Sequence, residues 1–120
     1  MRQYAFSVPG PPVPKARARI GRGRAYTPAR TVRHERLVWA YAAKAQVRPL
    51  AGDIEVRCRF YLVRRPDPQH PLDVDNLLKL VLDALKGKGW TDDSQVADLH
   101  GRRFVDTENP RTEVEIEEMP

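Results

Sequence analysis

Between Pro71 and Asp93 the chain reads P-L-D-V-D-N-L-L-K-L-V-L-D-A-L-K-G-K-G-W-T-D-D, and no other stretch limits its fold as strongly. Val74, Leu77, Leu78, Val81, Leu82 and Leu85 recur at helical spacing and form a broad apolar stripe. Asp75, Lys79, Asp83 and Lys86 fall on the opposite edge. The pattern predicts a helix over 72–86 that must bury one face. Gly87 is placed to close it in the left-handed conformation. Two aspartates one residue apart open the segment and a second pair closes it. Crowding carboxylates costs free energy unless their charge is offset, and a divalent cation is one such partner.

The helix needs a sheet to pack on, and alternation supplies it. From Asp53 to Val63, Ile54, Val56, Cys58, Phe60 and Leu62 share one face, with Glu55, Arg57, Arg59 and Tyr61 on the other. Tyr4 to Val8 alternates in the same way and is stopped by Pro9-Gly10-Pro11-Pro12. Gln95–Phe104 and Arg111–Glu118 read as two further strands joined by a turn at 106–110, with Val114 and Ile116 inward and Glu113, Glu115 and Glu117 outward. Thr27-Pro28 opens a first helix to about Gln46, with Pro28 as its first residue. The order β-α-β-α-β-β predicts one α+β (mixed α/β) domain over residues 1–120, its helices packed on a single small mixed sheet.

Composition narrows the function. No run of about 18 apolar residues exists, so no segment is expected to span a membrane. No apolar leader opens the chain, and Cys58 is the single cysteine, both suited to a reducing cytoplasm. Cys58 lies in the apolar series of its strand and reads as a core thiol. The formal net charge is +5, unevenly spread. Nine of the first 36 residues are Lys or Arg, against Glu35 alone. A basic block beside clustered aspartates suits a polyanion such as nucleic acid. Val13–Tyr26 shows neither helical nor strand period and reads as a loop ordered by a bound phosphate backbone. Lys15, Arg17, Arg19, Arg22 and Arg24 are its candidate DNA-binding cations, joined by Arg30 on the polar face of the first helix, with Tyr26 able to stack on a base or sugar.

Each aspartate also has a plain structural reading. Asp73 fits a helix cap with Asn76 at the third helical position, Asp75 and Lys79 fit an i, i+4 pair, and Asp92 and Asp93 fit a turn. Together they suggest carboxylates converging on a metal. Other chemistries fit worse. An EF-hand loop from Asp73 would meet Leu77, Leu78 and Ala84 where it needs an oxygen ligand, glycine and glutamate. His34, His70, His100 and Cys58 show no zinc spacing. No glycine-flanked serine and no phosphate loop are present.

The segment D-V-D-N-L-L-K…D-A-L…G-W-T-D-D-S-Q-V, with the upstream P-G-P-P-V-P-K-A-R-A-R…R-A-Y-T-P, resembles the RusA-type Holliday junction resolvases over nearly the whole chain. The resemblance implies a small bacterial or prophage-encoded, cytoplasmic, Mg²⁺-dependent endodeoxyribonuclease, with Mn²⁺ as a possible substitute. It implies a homodimer that cuts a four-way DNA junction by paired symmetric nicks. Carried over by position, Asp73, Asp75 and Asp93 would be metal-binding and catalytic, with Asp92 assisting. Lys79 would be catalytic, and Asn76 and Gln95 supporting. The competing readings are a non-catalytic nucleic-acid-binding protein of the same fold and a nuclease for RNA or another DNA structure.

Overall fold

The computed structural model describes residues 2–16, 19–21 and 23–120, without side-chain detail for 19–21 and 24–26. Its elements in chain order are β1 (Gln3–Pro9), β2 (Arg19–Gly21), β3 (Arg24–Tyr26), α1 (Ala29–Lys44), β4 (Ile54–Leu62), α2 (Val74–Leu85), a 3₁₀ turn (Asp93–Gln95), β5 (Val96–Val105) and β6 (Arg111–Glu118). β1, β4, β5 and β6 form one mixed sheet in the order β1-β6-β4-β5, and the two helices complete the expected β-α-β-α-β-β domain.

The connection from β4 through α2 to β5 is a crossover between parallel neighbours, and β6 then inserts antiparallel between β1 and β4. β5 and β6 are therefore consecutive in sequence without pairing. Because side chains alternate along a strand, each strand gives one face to the helices. On that face Ile54, Val56, Cys58, Phe60, Leu62, Val114, Ile116 and Val8 are buried. They meet Leu77, Leu80, Val81 and Leu85 of α2, and Val38 and Ala42 of α1, in one core. Trp90, in the turn after α2, is wholly buried within this cluster.

The opposite face carries charge. Arg59 bonds Glu113 at 2.9 Å and Glu115 at 2.7 Å across the β4–β6 pair. Arg57 joins Glu115 and Glu117. Arg111 sits 3.8 Å over the Tyr61 ring, which stacks on Phe104. These cross-strand pairs fix β6 in register on β4. They also hold the carboxyls of Glu113 and Glu115 below the usual range, Arg59 being the first cause for each.

Local expectations change at the hairpin and at the helix ends: α1 stops at Lys44 rather than about Gln46, and α2 starts at Val74 rather than Leu72 because Asp73 is its N-cap. The Val13–Tyr26 stretch, expected to be a plain loop, holds the short antiparallel hairpin β2–β3, with Arg19 paired to Tyr26. Its three-residue strands are too short to show a period. Pro28 is the N-cap of α1 and Ala29 its first residue, one position later than expected, with no side-chain cap. The close of α2 is as read: Gly87 takes φ +88°, and the amides of Lys88 and Gly89 both reach Leu85 O.

Candidate active site

The motif residues are distributed over the two ends of α2. At its start Asp73 is the N-cap in extended conformation, yet its side chain makes no capping bond. Asp75 lies in the first turn, and Lys79 follows one turn later. All three are exposed. Among the described residues, the carboxylates of Asp73 and Asp75 have no hydrogen-bond or ion-pair partner, and Asp75 and Lys79 form no salt bridge. The plain readings as a cap and an i, i+4 pair are thus not taken up. Two unengaged carboxylates at a helix N-terminus gain from the dipole and keep their oxygens free.

The ground around this end is basic. A cleft of about 250 Å³ is lined by Pro14, Arg30, Arg64, Arg65, His70 and Leu72, the last adjacent to Asp73. Arg103 of β5 donates to Leu72 O and ties the wall to the sheet. Arg64, Arg65, His70 and Arg103 were absent from the sequence candidates. For Arg64, Arg65 and His70 the signal was their position in the loop just before the motif, but only the fold shows that this loop faces Arg30 and that Arg103 of β5 reaches it.

Lys15, expected among the DNA-binding cations, is engaged inside the protein. Its ammonium lies 3.1 Å from Asp83 and 3.3 Å from Glu35, and its amide donates to Asn76 O at 2.9 Å. Partial burial pulls its pKa down, but Asp83 and Glu35 outweigh this and leave it raised. Lys15 therefore ties the N-terminal segment to both helices. Asn76 takes part in this tie through its backbone carbonyl. Arg17 and Arg22 lie outside the described residues. Arg19, Arg24 and Tyr26 fall on the hairpin strands.

At the other end of α2, Trp90 Nε1 donates to Asp93 Oδ1 at 2.9 Å, and Lys86 lies 3.8 Å from Asp93 Oδ2. Asp93 remains half exposed. Asp92 serves the turn itself, because its carboxylate accepts from the Ser94 amide, the first cause of its lowered pKa. Gln95 closes the capping box, accepting from the amides of Thr91 and Asp92. Its side-chain amide donates to Leu50 O and Gly52 O. Trp90 and Gln95 thus orient the turn that presents Asp93.

The two acidic groups do not meet within one chain. From Asp75 to Lys86 the helix axis advances about 16 Å, and Asp93 lies beside Lys86. Among the described residues, the group of potential ligands that does converge is Glu55, Asp98 and His100, on the sheet. Oxygen-only donors such as Asp73, Asp75 and Asp93 suit a hard cation of the Mg²⁺ type, so the donor set fits even though one chain supplies it in two parts.

An α+β domain with free carboxylates at a helix start beside an arginine-lined cleft has the layout of a protein that handles phosphodiesters. The family model of Endodeoxyribonuclease RusA matches residues 9–117 of the 120, and the chain belongs to this family of Holliday junction endodeoxyribonucleases. The search of curated proteins returned no match. Among the described residues no helix is long and apolar enough to cross a membrane.

Proposed function

We propose that this protein is a homodimeric, Mg²⁺-dependent endonuclease that resolves four-way DNA junctions by paired symmetric nicks, in recombination and repair. The observation that carries the reading is the pair of carboxylates on Asp73 and Asp75, free of structural partners beside a basic cleft. Asp73 and Asp75 would hold the ion. The third carboxylate is Asp93 of the partner subunit, because Asp93 of the same chain sits at the far end of α2. A twofold dimer with antiparallel α2 helices brings each start against the other's end and generates two equal sites. Asp93 is preferred to Asp92 as ligand, since Asp92 is occupied as a cap.

When bound, Mg²⁺ supplies charge neutralisation at the phosphate and activates water for attack. The chain's own groups do the rest. Arg30, Arg64 and Arg65 grip backbone phosphates without reading bases. Lys79 projects its ammonium from the same helix edge as Asp75, toward the charge that develops on the phosphoryl oxygens. Trp90 keeps Asp93 in one rotamer. Water attacks phosphorus, the bond to the 3′ oxygen breaks, and that oxygen takes a proton. The products are 5′-phosphate and 3′-hydroxyl ends, which a ligase can rejoin.

The test is cleavage of a labelled four-way junction and of its linear arms, with Mg²⁺ or chelator, by the wild type and Asp75→Asn. Paired nicks on the junction alone, lost with chelator and in the variant while binding persists, support the reading. A variant that behaves like the wild type leaves a non-catalytic binding protein, and cleavage of RNA or linear DNA in competition redirects the substrate.

A further inference from the structure

The open face of the sheet carries a second group of metal-ligating side chains that the candidate active site does not use. Glu55 on β4 and Asp98 on β5 are register partners in the parallel pair, and Arg57 is the partner of His100. Asp98 and His100, two residues apart, share one face. That face is opposite α2: at the next strand position, Gly101, whose face is the other one, an added Cβ would meet Leu78 and Val74. The sheet itself therefore separates this group from Asp73 and Asp75.

The geometry is close. One ligand atom from each of Glu55, Asp98 and His100 lies within 4.8 Å of the others. His100 Nε2 is 2.9 Å from Asp98 Oδ1 and 3.2 Å from Glu55 Oε2. Arg57 pairs with Glu55 Oε1, so the other oxygen faces the imidazole. Around a tetrahedral zinc ion, with bonds of about 2.0–2.2 Å, neighbouring ligand atoms stand roughly 3.3 Å apart. The two gaps from Nε2 open to that value by shifts of a few tenths of an ångström, and the two carboxylate oxygens stand within 4.8 Å of each other.

Charge favours a cation. Glu117 is the register partner of Glu55 on β6, so three acids and one arginine share this corner with His100. The backbone is held by strand pairing on both sides of Glu55, which keeps the ligands in place without a bound ion. Imidazole with carboxylates selects zinc and its transition-metal neighbours over magnesium and calcium, which prefer oxygen alone. We infer that Glu55, Asp98 and His100 form a binding site for a divalent transition ion, zinc fitting best, which clips the edge strand β5 to β4. Two carboxylate oxygens and Nε2 fill three positions and water the fourth. The inference does not rest on the nuclease reading.

The test is calorimetric titration of zinc chloride, in excess magnesium chloride, into the Asp73→Asn/Asp75→Asn double variant. The same titration is run after adding His100→Ala or Asp98→Asn. Both positions are substantially exposed, so neither substitution empties the core. The expected result is one zinc per chain in the double variant, with affinity at least tenfold weaker after either added substitution. Absence of zinc binding in the double variant overturns the site, as does a loss smaller than tenfold on adding either substitution.

Discussion

Gly101→Ala is the perturbation that connects packing to the candidate site most directly. An added Cβ on β5 would stand 2.5 Å from Leu78 Cδ1 and 2.8 Å from both Leu78 Cγ and Val74 Cγ1. Ordinary carbon contacts need about 3.5–4.0 Å, so roughly 1 Å must be found. Leu78 can turn its tip away, but Val74 is β-branched and stiff at χ1, so the first turn of α2 has to move. Overpacking of this kind costs about 1–3 kcal/mol. That turn carries Asp75, and Asp73 precedes it. A 1 Å misplacement of catalytic groups costs on the order of 10²-fold in rate. Urea unfolding should show the stability loss, and single-turnover junction cleavage a much larger proportional loss with binding retained. A variant with wild-type stability and rate would refute the argument that the tight β5–α2 approach positions the aspartates.

Three other outcomes follow from the same structure. Cys58 is buried, and burial pushes its thiol up to about 12; the native protein should resist thiol reagents at neutral pH, and rapid labelling without denaturant would contradict this. The Glu113 and Glu115 carboxyls are lowered from 4.5, chiefly by Arg59. Their stabilisation is present above that value and lost as pH falls through the lowered one, so urea midpoints should drop in acid, and Arg59→Gln should flatten the slope. Gln46 holds φ 62° just beyond α1, so Gln46→Gly should stabilise the protein by up to about 1 kcal/mol, read as a raised urea midpoint.

Much of this fold was legible because its periods are clean. The alternation in Ile54–Leu62 and Arg111–Glu118 and the stripe of α2 each specify a buried face; β4 buries the five residues read from its pattern, β6 adds Thr112 to Val114 and Ile116, and α2 buries Leu80 and Ala84 beyond its stripe while Val74 and Leu82 are only partly buried. Strand order was not legible. Nothing local to β6 says that it inserts between β1 and β4, since the Arg59–Glu113 and Arg57–Glu115 pairs join residues more than fifty positions apart. The motif showed which acids to watch and placed a helix between them, but whether the chain after that helix brings Asp92 and Asp93 back to its start depends on the strand order and was not legible. Spacing along the chain also hides what each is already doing: Asp92 caps a turn, Lys15 bridges two helices, and Asp73 is uncommitted.

The division of the carboxylates between two chains is tested most directly by mixing inactive subunits. Asp75→Asn and Asp93→Asn are each prepared as homodimers, then exchanged at equal concentration and assayed for nicking of a four-way junction with Mg²⁺. In a mixed dimer one site carries both substitutions and the other carries neither. Random exchange should therefore restore about a quarter of the wild-type nicking rate, as single nicks. A mixture as silent as its two components, beside an active wild type, would contradict the shared site.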